Sequence, residues 1–277
     1  MSTGLVDVHV HFMPQNVLDK VWAYFDHASE HYGVDWGIHY RLDENARLAT
    51  LRELGVVAFA PLVYPHKAGM ATWLNDWAID FGTRTLGAVP TATFFAEPGA
   101  DSYVKDALER GARCFKAHVQ VGGYDPRDPL LDPVWGMLAE AGVPVVVHCG
   151  NGPIPGAHTG LDVFAAVLAR HPRLAAVIAH AGMPDYLGAL DLVARYPRVC
   201  ADTTMVGVPF SEAQAPLPAD WGARLADVGD RIVLGSDFPN IPYPYEVQLE
   251  AISSWGLSTE AERAILHDNG LRLLSPG

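Results

Sequence analysis

The sequence predicts a (β/α)8 barrel of the TIM type, read as a single domain over residues 1–277. Three observations carry that expectation. Eight near-continuous apolar runs alternate with helical segments, and strands that are apolar on both faces and joined by helices belong to parallel sheets. Ionisable residues gather where those runs stop, which is the end of such a barrel where sites are built. The turn after the first strand lacks the glycine-rich phosphate fingerprint that an open, doubly wound sheet carries there, so that architecture ranks second.

The first strand is Leu5-Val6-Asp7-Val8-His9-Val10-His11-Phe12. Strand side chains alternate, so Asp7, His9 and His11 are expected on one face and Val6, Val8 and Val10 on the other. An aromatic-rich insertion follows at about 13–43, with Trp22, Tyr24, Phe25, Tyr32, Trp36 and Tyr40 among its rings. It is longer than an ordinary connector and reads as a lid or binding segment, or as a helical excursion packed on the barrel or on a second subunit.

From Asp43 a rhythm sets in. Asp43-Glu44-Asn45 gives an acidic helix start, Leu48, Leu51 and Leu54 recur at helical spacing, and Gly55 stops the helix. Val56 to Leu62 reads as a buried strand and about Ala68 to Arg84 as a helix. Further strands are expected at Gly87 to Phe95, Ala112 to Val119, Val143 to Cys149, Leu174 to His180, Val199 to Thr204 and Ile232 to Asp237. Helices are expected between them at Ala100 to Arg110, Pro133 to Ala141, Leu161 to Arg170, Tyr186 to Arg195 and Pro218 to Val228. Closing helices are expected at about Pro244 to Ser254 and Thr259 to Leu274. Gly111, Gly142 and Gly229 precede strands, as helix C-caps should.

Composition narrows the function. With 49% hydrophobic residues the chain can bury a sizeable core. A formal charge of -13 argues against nucleic acid or an anionic membrane, both of which need clustered Lys and Arg, and leaves a small molecule as the expected partner. No apolar run approaches the roughly 18 residues of a membrane span. The opening Met1-Ser2-Thr3-Gly4 lacks a secretory pattern, which gives a cytoplasmic protein as the expectation. Cys114, Cys149 and Cys200 are odd in number and lie in apolar segments, so they read as reduced structural thiols. The early aromatics make a homo-oligomer the expectation for assembly.

A His-x-His pair alone is as consistent with hydrogen-bonded core residues as with metal ligands. The wider set changes the balance. Lys116 and His118 lie on the fourth strand, His148 ends the fifth, His180 the sixth, Asp202 the seventh and Asp237 the eighth. Burying that many polar groups without a metal or mutual pairing is costly. His9, His11, His148 and Asp237 offer three neutral donors and one anion, a set that suits zinc and leaves room for water. Asp7 lies deeper and reads as an acceptor that orients the histidines. Asp202 pairs with a site histidine or caps the next loop. Tyr64 and His66 follow the second strand, within reach of a substrate or on the surface. The loop 150–156 shapes access or merely connects.

At this point the chain resembles a known family. The Val-Asp-Val-His-Val-His opening, Val-Val-His-Cys-Gly, Ala-His-Ala-Gly and the late Gly-Ser-Asp-Phe-Pro are similar to the motifs of the amidohydrolase superfamily. The branch it resembles, the amidohydrolase-related one, includes aminocarboxymuconate semialdehyde decarboxylase, resorcylate-type decarboxylases and dicarboxylate lactonases. The resemblance spans nearly the whole chain and implies a barrel of the metal-dependent hydrolase type. It implies His9, His11, His148 and Asp237 as metal ligands and His180 as the catalytic histidine. The implied cofactor is one Zn2+ per chain, with Mn2+ as the alternative. Lys116, one of four lysines, is implied either as a carboxylated bridge between two metals or, as preferred here, as a cation that meets a substrate carboxylate.

The function expected from this set is hydrolysis of a small amide, lactone or cyclic ester by a metal-activated water. Asp237 would shuttle the proton, while His180 would orient the water or stabilise the oxyanion. The alternative is non-oxidative decarboxylation of an unsaturated or aromatic acid, with Lys116 or Arg41 facing the carboxylate and the aromatic insertion forming the walls. Tyr64 and His118 complete the expected substrate contacts. A barrel that binds a metabolite without catalysis is the third reading, and it requires the polar strand ends to be structural.

Overall fold

A computed structural model describes residues 4–275. Among them eight strands stand in sequence order: β1 (Leu5–His11), β2 (Val56–Leu62), β3 (Thr91–Thr93), β4 (Cys114–His118), β5 (Val145–His148), β6 (Ala176–Ile178), β7 (Val199–Asp202) and β8 (Ile232–Val233). The pairings between neighbours are parallel, and helices make the crossovers, as in the predicted α/β barrel. The ladder is not continuous around the ring. β1 and β2 form one sheet and β3 to β8 another. Backbone contacts outside the ladders bridge the seams: Phe59 pairs with Ala88 ahead of β3, Val8 N–H donates to Leu234 O (2.9 Å), and His11 N–H donates to Phe238 O (2.6 Å).

β2 keeps its expected limits, whereas β3, β6 and β8 are shorter than their apolar runs. Ile232 to Asp237 is the extreme case, since only Ile232–Val233 pairs as a strand with β7. The helices Leu161–Arg170 and Tyr186–Arg195 match their expected limits. Asp43 caps Glu44–Glu53 by accepting the Ala46 N–H at 2.9 Å, which accounts for the acidic start. Gly142 ends the helix Asp132–Ala141 at φ 70°, a left-handed cap that glycine adopts without a steric penalty. Gly229 differs from expectation: it opens a 3-10 turn, Gly229–Arg231.

Two helical expectations are corrected. Pro218 to Val228 holds only Trp221–Leu225 as α-helix. The closing stretch is Thr259–Arg263 and Asn269–Leu274, separated by a π-helical turn, Ala264–Asp268. At that turn the Ile265 carbonyl accepts the Leu234 N–H (3.0 Å), so the irregularity ties the last helices to the end of β8.

The core has two layers, set by alternation along the strands. Phe115, Val145, Val147 and Ile178 face the helices and pack with Trp135, Leu138 and Phe164. Cys114, Val146, Val177 and Val233 form a second cluster, joined by Val6, Val8, Ala60 and Leu62. Strict alternation fails on β1. Its register with β2 slips between Asp7 and Val10, the signature of a bulge, so the side-chain sequence around Val8 and His9 no longer follows a period of two. All three cysteines are free, and no helix among the described residues is long and apolar enough to cross a membrane. Residues 1–3, on which the reading of the leader rests, lie outside the described residues.

Trp135 anchors the outer layer. It is fully buried, meets Phe94 edge-on at 4.9 Å and donates its indole N–H to Pro126 O (2.8 Å). Trp135→Ala is expected to cost about 3–5 kcal/mol through the cavity it leaves. The midpoint of urea unfolding measures this, and an unchanged midpoint contradicts the packing described.

Candidate active site

Three side chains converge where β1 and the segment after β8 meet. One ligand-type atom from each of His9, His11 and Asp237 lies within 4.8 Å of the others. Asp237 Oδ1 stands 2.9 Å from His11 Nε2 and 3.4 Å from His9 Nε2. The neighbours fix which ring nitrogens point inward. His9 Nδ1–H donates to Asp202 Oδ2 (2.9 Å), and His11 Nδ1–H donates to the Leu62 carbonyl (3.0 Å), because those oxygens can only accept. Each histidine is thereby left presenting an Nε2 lone pair toward a carboxylate oxygen. Three acceptors at this spacing repel unless positive charge lies among them, and a divalent cation meets that requirement. Two histidines and one carboxylate also match a catalytic metal site that keeps a position open.

Lys116 supplies positive charge at the same place. It is fully buried on β4, and its Nζ is 2.8 Å from His9 Nε2. Burial pulls its ammonium down to about 8, against the stabilising charges of Asp237 and Asp202. The residues fit a divalent cation on one condition: when the cation binds, Lys116 must surrender its proton or this contact.

Asp202, the end of β7, organises the surroundings. Besides holding His9, its Oδ1 accepts the backbone N–H groups of His180 (2.8 Å) and Thr204 (3.1 Å). Burial opposes its charge, yet His9, His180 and Lys116 hold its carboxyl at about 2. Burial, followed by the Lys116 charge, holds the His9 imidazole down at about 3. Asp237 lies well below the usual carboxylate range: its partial burial resists ionisation, but the His11 hydrogen bond and the neighbouring histidines overcome that. His180 is lowered by burial, and its ring meets His9 edge-on at 5.4 Å and His148 at 4.7 Å.

The backbone is strained where these groups sit. His180 (φ 54°), Ala181 (φ 42°), Met205 (φ 60°) and Asp237 (φ 67°) occupy the left-handed region, at a cost of order 1–3 kcal/mol each. Gly235 makes room nearby. A Cβ there would lie 2.4 Å from Thr204 Oγ1 and 2.9 Å from His9 Cβ, so the Gly-Ser-Asp run needs glycine for space at the site.

Other expected site residues fall in different places. His148 does not join the three-atom group. Its Nε2 meets the Gly152 carbonyl at 3.0 Å, and its ring stacks on His118 at 4.2 Å, because the loop after β5 folds back over it. His118 also accepts the Val121 N–H through Nδ1 (3.3 Å). Tyr64 is buried edge-on against His11 (5.2 Å) and lines the cavity described below. Arg41 does not reach the cavity: its guanidinium binds Asp26 and the Trp22 carbonyl on the outside of the insertion. Asp7 does not orient the histidine rings either. It accepts from Ser236 Oγ (2.6 Å) and Tyr245 OH (2.8 Å), a direction that follows from the bulge, and burial pushes its carboxyl up to about 7.

Above the convergence lies a cavity of about 1130 Å³. The helix Gln15–Phe25 presents Asn16, Val17, Lys20, Val21, Tyr24 and Phe25 to it, one face at helical spacing. The early aromatic segment is therefore part of the cavity wall. Trp36 meets Phe210 from the loop after β7 at 4.9 Å. Asn240 joins this wall to the strand ends. Its Oδ1 accepts the Trp22 indole N–H (3.0 Å), its carbonyl accepts that of Trp36 (2.6 Å), and its own N–H donates to Asp237 O (2.9 Å). Sequence reasoning missed Asn240, Thr204 and Tyr245, whose polar side chains carry no spacing signal.

A family profile described as amidohydrolase matches residues 6–275. The chain belongs to this amidohydrolase family. Among solved structures, this chain is similar to an uncharacterised TIM-barrel protein from Bordetella bronchiseptica (18% identity, 98% of each chain, TM-score 0.73). It is also similar to 5-carboxyvanillate decarboxylase from Sphingomonas paucimobilis (16%, 99% of each chain, 0.68). A putative amidohydrolase from Staphylococcus aureus is a third (15%, 98% of this chain and 99% of that one, 0.64). At these identities the likeness is one of fold. No curated protein matches the sequence.

Asp202→Asn keeps the size of the side chain and removes the charge that orients His9. We expect metal affinity to fall about 10- to 100-fold, as for other groups that hold a ligand in place. Titration of the metal-free protein with Zn2+ or Mn2+ measures it, and unchanged affinity contradicts the role given to Asp202.

Proposed function

We propose that this amidohydrolase is a metal-dependent hydrolase of a small amide, lactone or cyclic ester. The observation that carries the reading is the convergence of His9 Nε2, His11 Nε2 and Asp237 Oδ1, with the outer nitrogens of both histidines already committed. Those three residues would hold one Zn2+ or Mn2+, with His148 joining after release from Gly152. Bound there, a divalent cation supplies Lewis acidity that acidifies water and polarises a carbonyl.

The chain's own groups carry the rest. Only Oδ1 of Asp237 is engaged by the histidines, and its side chain keeps 14% exposure at the cavity base, so Oδ2 is free to take a proton from water and return it to the leaving group. Because Asp237 is ionised well below neutrality, it arrives as a base. His180, neutral through burial, would orient the water or donate to a developing oxyanion. The aromatic wall and the loop 150–156 border the cavity through which a substrate would reach the base.

A second reading is decarboxylation of a ring acid. Tyr24, Trp36, Tyr64, Trp73 and Phe210 line the cavity and suit a flat ring, and 5-carboxyvanillate decarboxylase shares the fold. Asp237, already ionised, suits the base role that activating water requires, and the matching family profile is described as amidohydrolase, so hydrolysis ranks first.

Elemental analysis of tag-free protein is expected to find about one metal per chain, lost in His9→Ala and His11→Ala. With metal loaded, Asp237→Asn is expected to lower turnover of a lactone or amide about 10²- to 10⁴-fold, the range for a general base. Carbon dioxide release without hydrolysis would establish the second reading, and full turnover in Asp237→Asn would overturn the base assignment.

A further inference from the structure

Six side chains close a circuit around the base of the cavity. Ring centroids step from His9 to His11 (5.2 Å), to Tyr64 (5.2 Å), to His118 (4.7 Å), to His148 (4.2 Å), to His180 (4.7 Å) and back to His9 (5.4 Å), and all six residues line the cavity. His118 belongs to this circuit but not to the group that converges on a cation.

Its proton is also placed in the opposite sense. His9 and His11 give Nδ1–H outward and keep an Nε2 lone pair inward. The Val121 N–H can only donate, so His118 Nδ1, 3.3 Å away, must accept, and the ring carries its proton on Nε2. That contact caps the short helix Val119–Gly122, so the tautomer follows from the way the chain leaves β4. A second proton would have to enter at Nδ1, against the Val121 N–H, and burial and the neighbouring His148 oppose it as well. Nε2 makes no hydrogen bond among the described residues, and its neighbours do not close it off. Since the residue lines the cavity, this N–H is open to a ligand.

Reach follows from the circuit. Tyr64 alone stands between His118 and His11, with ring contacts of 4.7 and 5.2 Å, so one small molecule can touch both ends. An uncharged N–H recognises a definite chemistry. A carbonyl or ether oxygen satisfies it, whereas a ligand that offers carbon or another N–H there leaves it unpaired.

We propose that His118 Nε2–H is a specificity-determining hydrogen-bond donor, and that the substrate carries, besides its scissile carbonyl, an uncharged oxygen acceptor for it. The inference rests on the hydrolase reading for the identity of the reacting group, and on the cavity alone for the donor.

The test compares acetophenone with 1,3- and 1,4-diacetylbenzene, whose second carbonyl probes the donor, binding to the metal-loaded protein being followed by calorimetry. The wild type is expected to bind at least one diketone about fivefold more tightly than acetophenone, the scale of one neutral hydrogen bond. That preference is expected to persist at high salt, because the donor carries no charge to screen. His118→Asn keeps a side-chain oxygen for the Val121 N–H and removes the far N–H, so the helix cap is retained while the preference falls below twofold. Nitrogen NMR of isotope-labelled histidine rings gives a second readout. The signal missing from His118→Asn is expected to report an Nε2–H tautomer in the wild type, and to shift when the preferred diketone is added. Equal binding of the three ketones by the wild type, full preference in His118→Asn, or an Nδ1–H tautomer would overturn the proposal. A preference that depends on His118 in a protein that binds no metal would sustain the donor while removing the hydrolase reading.

Discussion

The site depends first on a buried carboxylate that touches no substrate. Asp202 ends β7 and bonds across to the His9 ring of β1, to the His180 backbone after β6 and to Thr204 in its own loop. Three chain segments that are far apart in sequence share one anion in a medium where an unpaired charge is costly. The same anion selects the His9 tautomer, so the chemistry at Nε2 is decided on the opposite side of the ring.

Strain and support coincide around this centre. Left-handed backbone occurs at His180, Ala181, Met205 and Asp237, all just beyond strand ends. Hydrogen bonds hold the two candidate site residues among them: His180 N–H to Asp202, and Asp237 N–H to His9 O at 2.8 Å. A parallel barrel supplies such anchors because its strand ends lie side by side, which lets short loops turn sharply without losing their backbone partners.

Much of this was legible in the sequence. The strand rhythm follows from apolar runs buried on both faces, and His9, His11 and Asp237 stand where those runs stop. Elsewhere the signal was local while the cause was not. Alternation placed Asp7 with the histidines, but a register slip against β2 turns it to Ser236 and Tyr245, and a bulge leaves no mark in one strand read alone. His148 ends its strand as expected, yet a carbonyl of the following loop takes its Nε2. Arg41 reads as a cation for a substrate carboxylate, but an acid on the same segment, Asp26, draws it outward. The closing helix reads as continuous because helical periodicity cannot register the need of Leu234 for an acceptor.

Asn240 has a consequence for how such a barrel diversifies. Through one side-chain oxygen and one carbonyl it holds two tryptophans of the early insertion, and through its N–H it holds the carbonyl of Asp237. The wall that would choose a ligand and the residue that would act on it thus share a single fastening. Insertions after β1 cannot be exchanged as free-standing cassettes. A transplanted wall without partners for Asn240 would leave its side-chain oxygen and its carbonyl without the two indole donors that now tie the insertion to the Asp237 backbone.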